Sequence, residues 1–131
     1  MKNTTLFLIL ILISNNLFSQ APNPDLYYQF TSKADSMYKA KDFKNSAFTY
    51  SLAFKEYGWK GLINDRYKAA CSWALAKYPD SAFYHLDKIV SKGFYTDYEH
   101  ITKDNDLVSL HNDKRWQPLI NAIKLKKQKQ N

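Results

Sequence analysis

The chain is poor in the residues that build disulfide scaffolds, phosphate loops and sheets. It has one cysteine, Cys71, among 131 residues, so no intramolecular disulfide can form and the core must hold the fold alone. It has three glycines, Gly58, Gly61 and Gly93. They form no glycine-rich run, which excludes a phosphate-cradling loop. HExxH, CxxC and GxSxG do not occur, so the commonest signatures of zinc hydrolases, dithiol redox centres and nucleophile elbows are missing. Strand-like alternation is scarce, and with so little glycine this points to an all-α domain. The uninterrupted apolar run Leu6 to Ile13 is far short of the ~20 residues that span a bilayer.

That run has a different reading. Met1-Lys2-Asn3 is a short basic start, "TTLFLILILI" an apolar core, and "SNNLFSQAPNP" a polar exit with small residues. This is the pattern of a secretory signal peptide. Residues 1–19 are expected to be that segment, cleaved after Ser19 or one residue later; an uncleaved membrane anchor is the alternative. No cysteine stands near the cleavage point to carry a lipid, so the exported protein is expected to be periplasmic or secreted. The remainder is about 112 residues, the size of one domain. Aromatics make up 16% of the chain and supply the apolar area that a core of this size needs. The net charge of +7 is concentrated in the end, "KLKKQKQN". Residues 124–131 read as a frayed, solvated basic tail. Such a tail can make weak contact with anionic surfaces, and export argues against nucleic acid as a partner.

After an extended lead-in over residues 20–24, helical periodicity fills the domain, residues 25–123. Leu26, Tyr27, Phe30, Ala34, Met37 and Tyr38 recur at steps of three and four and predict a helix from about Asp25 to Ala40. A second is expected from about Lys44 to Tyr57, with Gly58 placed for a left-handed cap. A third covers about Leu62 to Ala76. Tyr78-Pro79-Asp80 is the next turn, with Asp80 as cap of a fourth helix, Ser81 to Ser91. "FYTDYEHITKDND" reads as looser chain, "DLVSLH" as a short helix, and "DKRWQPLINAIKLKK" as a last one. Pro118 should kink that last helix or force it to start nearer Trp116.

The helices repeat. At an offset of 36 residues Ala34 meets Ala70, Ala40-Lys41 meets Ala76-Lys77, Ser46 meets Ala82, Phe48 meets Tyr84, Tyr50 meets Leu86, and Ala53 meets Ile89. Small residues at Ala34, Ala70, Ser46 and Ala82 let the two helices of each pair approach closely, and Tyr50 and Leu86 fill the gap one turn on. A single hairpin leaves one face uncovered, so hairpins of this kind stack; an unrelated four-helix bundle is the alternative.

"YKAKDFKNSAFTYSLAF" and "YKAACSWALAKYPDSAFYHLDKIV" resemble tetratricopeptide repeats, through Tyr38, Asp42-Phe43, Ser46, Tyr50 and Ala53 in the first and Ala70, Trp73, Ala82, Leu86 and Ile89 in the second. "DNDLVSLHNDKRWQPLI" resembles a closing element that follows the last repeat in exported bacterial members. The turn glycine of the family is Lys41 here and Lys77 in the second copy, and Arg66 stands where an aromatic is common. The resemblance implies a right-handed stack of antiparallel helical hairpins, about two repeats plus closing helices. It also implies a concave groove lined by the first helix of each pair: Tyr28, Ser32, Asp35, Tyr38 and Lys39, with Asn64, Tyr67, Lys68 and Cys71. The family's paired Lys/Asn clamp for a C-terminal carboxylate is not reproduced, so that specificity is not expected.

No catalytic constellation stands out. His85 and Asp87 are two residues apart on a helix and point to different faces. His100 and His111 flank Asp104 and Asp106, a spacing too loose to predict a metal site. Cys71 is one turn from Lys68, which would lower its pKa if the two met, but a small buried residue on a helix seam is the plainer reading. Trp73 and Trp116 read as core, and Trp59 as a loop aromatic that is either open to solvent or a cover for the hairpin end. The expected function is non-catalytic protein or peptide binding in the cell envelope, without a metal or cofactor. The alternatives are a structural or regulatory subunit using other faces, and a hydrolase or thiol enzyme.

Overall fold

Asn23 opens the first helix. Its side-chain oxygen accepts the Leu26 amide at 3.1 Å, and Pro24 follows at the first helical position, where no amide partner is needed. The computed structural model describes residues 21–131; the expected signal peptide lies outside the described residues. Six α-helices follow one another: α1 Pro24–Lys39, α2 Phe43–Glu56, α3 Ile63–Leu75, α4 Pro79–Ser91, α5 Tyr98–Lys103 and α6 Trp116–Gln130. A 3-10 helix, Asn105–Leu110, stands between α5 and α6. The described residues contain no strand, and the chain is an all-α stack of helical hairpins. Among them, no helix is long and apolar enough to cross a membrane.

α1 packs on α2, α3 on α4, and α2 joins the two hairpins through α3. The 36-residue offset recurs in the backbone of the turns. Ala40 N–H donates to Ser36 O and Ala76 N–H to Ser72 O; Lys41 to Tyr38 O and Lys77 to Ala74 O; Asp42 to Met37 O and Tyr78 to Trp73 O. Lys41 and Lys77 both take the left-handed conformation, with φ of 61° and 69°. The lysines therefore adopt the geometry for which glycine is better suited. Gly58 at the end of α2, with φ 64°, is the left-handed cap the sequence leads one to expect.

The seam follows from the small residues. Ala34, Ser46, Ala70, Ala82, Tyr50 and Leu86 are completely buried, whereas Phe48 and Tyr84, one pair in the same register, are both about half exposed. Ser46 Oγ donates to Ala34 O at 2.8 Å and lies 3.0 Å from Ser72 Oγ, so α1, α2 and α3 meet at one buried polar point. Two apolar clusters result. Tyr27, Ala34, Tyr50, Ala53 and Phe54 of the first hairpin form one with Ala69 of α3. A larger one joins α3 and α4 to Ile101, Leu107, Leu110, Trp116 and Ile123 of the closing elements.

Three local expectations change, and of the two outcomes expected at Pro118 the later helix start is the one found. Pro79, not Ser81, begins α4, so Asp80 sits in the first turn and Tyr78 takes the cap position; proline suits that first position. Tyr98–Lys103 is helical, not loose chain, because the Asp97 side chain caps it by accepting the His100 amide at 3.0 Å. α6 begins at Trp116, which places Pro118 third, among the amides that have no intrahelical partner. The basic segment 124–131 continues α6 through Gln130 and is not frayed; Lys126 Nζ donates to the Val90 carbonyl near the end of α4.

Candidate functional site

The first helices of the two hairpins, with the closing elements, enclose a cleft of about 400 Å³. Asp35, Tyr38 and Lys39 of α1 and Tyr67, Lys68 and Cys71 of α3 line it, so six of the nine groove residues come together. Tyr28, Ser32 and Asn64 do not line the cleft. Each is exposed, and Tyr28 packs edge-on against Tyr27 with ring centres 5.3 Å apart. His100, Asp104 and Asp106 complete the wall. The sequence pattern placed these three outside the groove, because no local signal says that the closing segment folds back across α3.

That segment occupies the tyrosines. Tyr67 OH donates to Asp104 Oδ2 at 2.8 Å, and Tyr38 OH donates to Asp106 Oδ2. Asp104 Oδ1 meanwhile accepts the Asp106 amide at 2.9 Å, which fixes the start of the 3-10 helix. Asp35 accepts both Tyr50 OH and Lys68 Nζ, the latter at 2.9 Å, tying α1 to α3. Burial first, and then these carboxylate bonds, push the phenols of Tyr38, Tyr50 and Tyr67 well above the ordinary range. They are neutral donors at any physiological pH. His100 stacks against Tyr67 with ring centres 4.9 Å apart.

Cys71 faces this acidic corner. Its Sγ lies 3.8 Å from Asp104 Oδ2. Burial, reinforced by Asp104 and Asp106, raises the thiol pKa. Lys68, which would have lowered it, is turned to Asp35. A thiol held protonated is a poor nucleophile. Cys71, Asp104 and Asp106 offer ligand atoms within 4.8 Å of one another, and both carboxylates accept phenol hydroxyls from the groove helices. His100 Nε2 stands 3.8 Å from Asp104 Oδ2, while His111 stacks on Trp116 with ring centres 4.4 Å apart and does not line the cleft.

A second arrangement on α3 escaped the sequence pattern. Arg66 is buried, with its guanidinium 4.5 Å from the centre of the Phe54 ring. Nη1 is 3.2 Å from His85 Nδ1, and Nη2 donates to the Trp59 carbonyl at 2.5 Å. Burial, then the nearby Arg66 and Lys88 charges, lower the His85 pKa to about 3, so it is neutral. The only signal was the basic residue at a position where the repeat commonly has an aromatic. Trp59 is indeed exposed. No family model, curated protein or solved structure matches the chain.

Proposed function

We propose that the protein is an exported, non-catalytic scaffold that binds a protein or peptide segment in the cleft between α1 and α3. The single observation that carries the reading is the 36-residue duplication of a helical hairpin, down to matched turn hydrogen bonds and paired left-handed lysines. Stacked hairpins of this kind present a shared concave face, and the two copies resemble tetratricopeptide repeats. Lys39 and Lys68 stand exposed on the rim; Lys39 offers its ammonium group to an acidic segment, and Lys68 can do so by sharing the charge it now gives to Asp35. The short face limits affinity, since area and preorganisation both restrict small sites. The signal-like start at Lys2 to Ile13 supports an envelope or secreted location.

A specific observation favours a second reading, a structural or regulatory subunit that uses other faces. Asp104 and Asp106 already engage Tyr67 and Tyr38, whereas Phe48, Leu52 and Tyr84 on α2 and α4 are open to solvent. Affinity capture from envelope extract separates the two. The baits are the wild type, Lys39→Glu/Lys68→Glu and Phe48→Ser/Tyr84→Ser, checked for equal helicity. A partner lost only on the lysine variant supports the cleft. One lost only on the aromatic variant transfers the function to α2 and α4.

A further inference from the structure

On the other side of α3 two smaller clefts, each about 320 Å³, share Trp59 and Arg66 as a common wall. Arg66 and Trp73 lie seven residues apart on one face of α3, while Lys68 and Cys71 lie on another. The two clefts differ in chemistry. One runs between α2 and α4 and is aromatic: Phe54, Trp59, Trp73 and Tyr84 surround it. The other is cationic: Lys60, Arg66, Lys88 and Lys92 line it, and no carboxylate does. Asp80 is the one acid along either lining; it belongs to the aromatic cleft, is 91% exposed and is bound by Arg115 at 2.7 Å.

Arg66 is the telling residue. It is 7% exposed and forms no ion pair among the described residues. Its partners are a carbonyl and a neutral imidazole. Buried charges are ordinarily paired, because withdrawal from water is expensive without a counter-charge. Three lysines converge on the same wall and deepen the deficit. The loop above is held in place by the Arg66–Trp59 bond, with Trp59 itself at φ 60° and 59% exposed. A cation without its anion, next to an aromatic slot, is the outline of a small amphipathic acid.

We propose that this double cleft binds an organic carboxylate, with the carboxylate among Arg66, Lys60, Lys88 and Lys92 and an apolar or aromatic body against Trp59 and Tyr84. The inference is independent of the cleft between α1 and α3.

Sodium phenylacetate is the probe, titrated into the purified ¹⁵N-labelled protein at constant ionic strength. Phenylacetamide, its neutral counterpart, and inorganic phosphate run in parallel. The indole N–H signals of Trp59, Trp73 and Trp116 are the readout, with Trp59 assigned from Trp59→Phe. Phenylacetate is expected to shift the Trp59 signal saturably and to leave Trp116 in place. Phenylacetamide should bind at least tenfold more weakly. Lys88→Gln/Lys92→Gln, the first half-buried in the last turn of α4 and the second exposed just past its end, should weaken phenylacetate about tenfold with the remaining spectrum unchanged. Equal binding of phenylacetamide overturns the proposal. So does phosphate matching phenylacetate, which would reduce the site to a bare cationic patch. Absence of a saturable shift, or full affinity in the double lysine variant, overturns it equally.

Discussion

Ser46→Ala turns the first hairpin into a copy of the second at its closest point, because Ala82 already occupies the equivalent place. The change deletes a hydroxyl that donates to Ala34 O at 2.8 Å and pairs with Ser72 Oγ at 3.0 Å, in a position with no solvent access. The bond to Ala34 is worth about 1 kcal/mol net. The Ser72 hydroxyl then stays buried without its partner, which costs about 1–3 kcal/mol unless it turns back to a carbonyl of its own helix. Together the loss is about 2 kcal/mol, or roughly 10 °C in melting temperature for a domain of this size. Ser72→Ala alone should cost only about 1 kcal/mol, since Ser46 keeps its bond to Ala34. In the double variant no hydroxyl is stranded, so the two effects should fall short of additivity by about 1 kcal/mol. Urea denaturation of the four proteins reads this cycle directly. A Ser46→Ala protein as stable as wild type, or strict additivity, would refute the buried seam that joins α1, α2 and α3.

Further outcomes follow from the same structure. Lys41→Gly and Lys77→Gly should each stabilise the fold by up to about 1 kcal/mol, because a side chain in the left-handed region is strained and glycine is not; a lower urea midpoint in both would contradict the turn geometry. His85 is held neutral with a pKa near 3, below the unfolded value of 6.5. Its contribution to stability is therefore whole above pH 6.5 and declines as the pH falls toward 3, by about 2 kcal/mol at pH 5. His85→Gln should be less sensitive between pH 7 and 5 than wild type by that amount in matched urea titrations. Cys71, buried and protonated, should react with a disulfide reagent at least about 100-fold more slowly in native protein than in urea; equal rates would show that α3 is open. Ala70→Leu should overpack the second hairpin and cost about 1–3 kcal/mol, and an unchanged melting curve would show that the 36-residue register is misplaced.

The parts of the fold legible in the sequence are those whose cause is local. Steps of three and four fix α1 to α4 within a few residues, and the paired small residues locate the seam before any coordinates. Pro118 announces a late start to α6 because a missing amide is tolerated only in a first turn. The closing segment is different. Tyr38 meets Asp106 across 68 residues and Tyr67 meets Asp104 across 37, and no spacing rule links a phenol to a carboxylate at such a distance. Repeat logic brought six residues of the cleft together, since it concerns helix faces. It could not place His100, Asp104 and Asp106, which come from a segment outside the repeat. Arg66 shows the same limit: the sequence shows a basic residue out of pattern, but the Trp59 carbonyl and the His85 ring that receive it are products of packing.

The closing element changes what the first cleft can offer a guest. Tyrosine-lined grooves ordinarily present hydroxyl donors, and here both such hydroxyls point at the protein's own aspartates. A visitor thus meets ring edges, the ammonium group of Lys39, the Lys68–Asp35 ion pair, and the negative oxygens of Asp104 and Asp106. Selectivity in such a channel comes by subtraction. A neutral acceptor finds no phenol to receive it. An acid that engages the lysines at the rim is repelled if it moves inward. If the cleft binds a chain as proposed, acidic residues that meet the rim are best followed by basic ones that meet the aspartates.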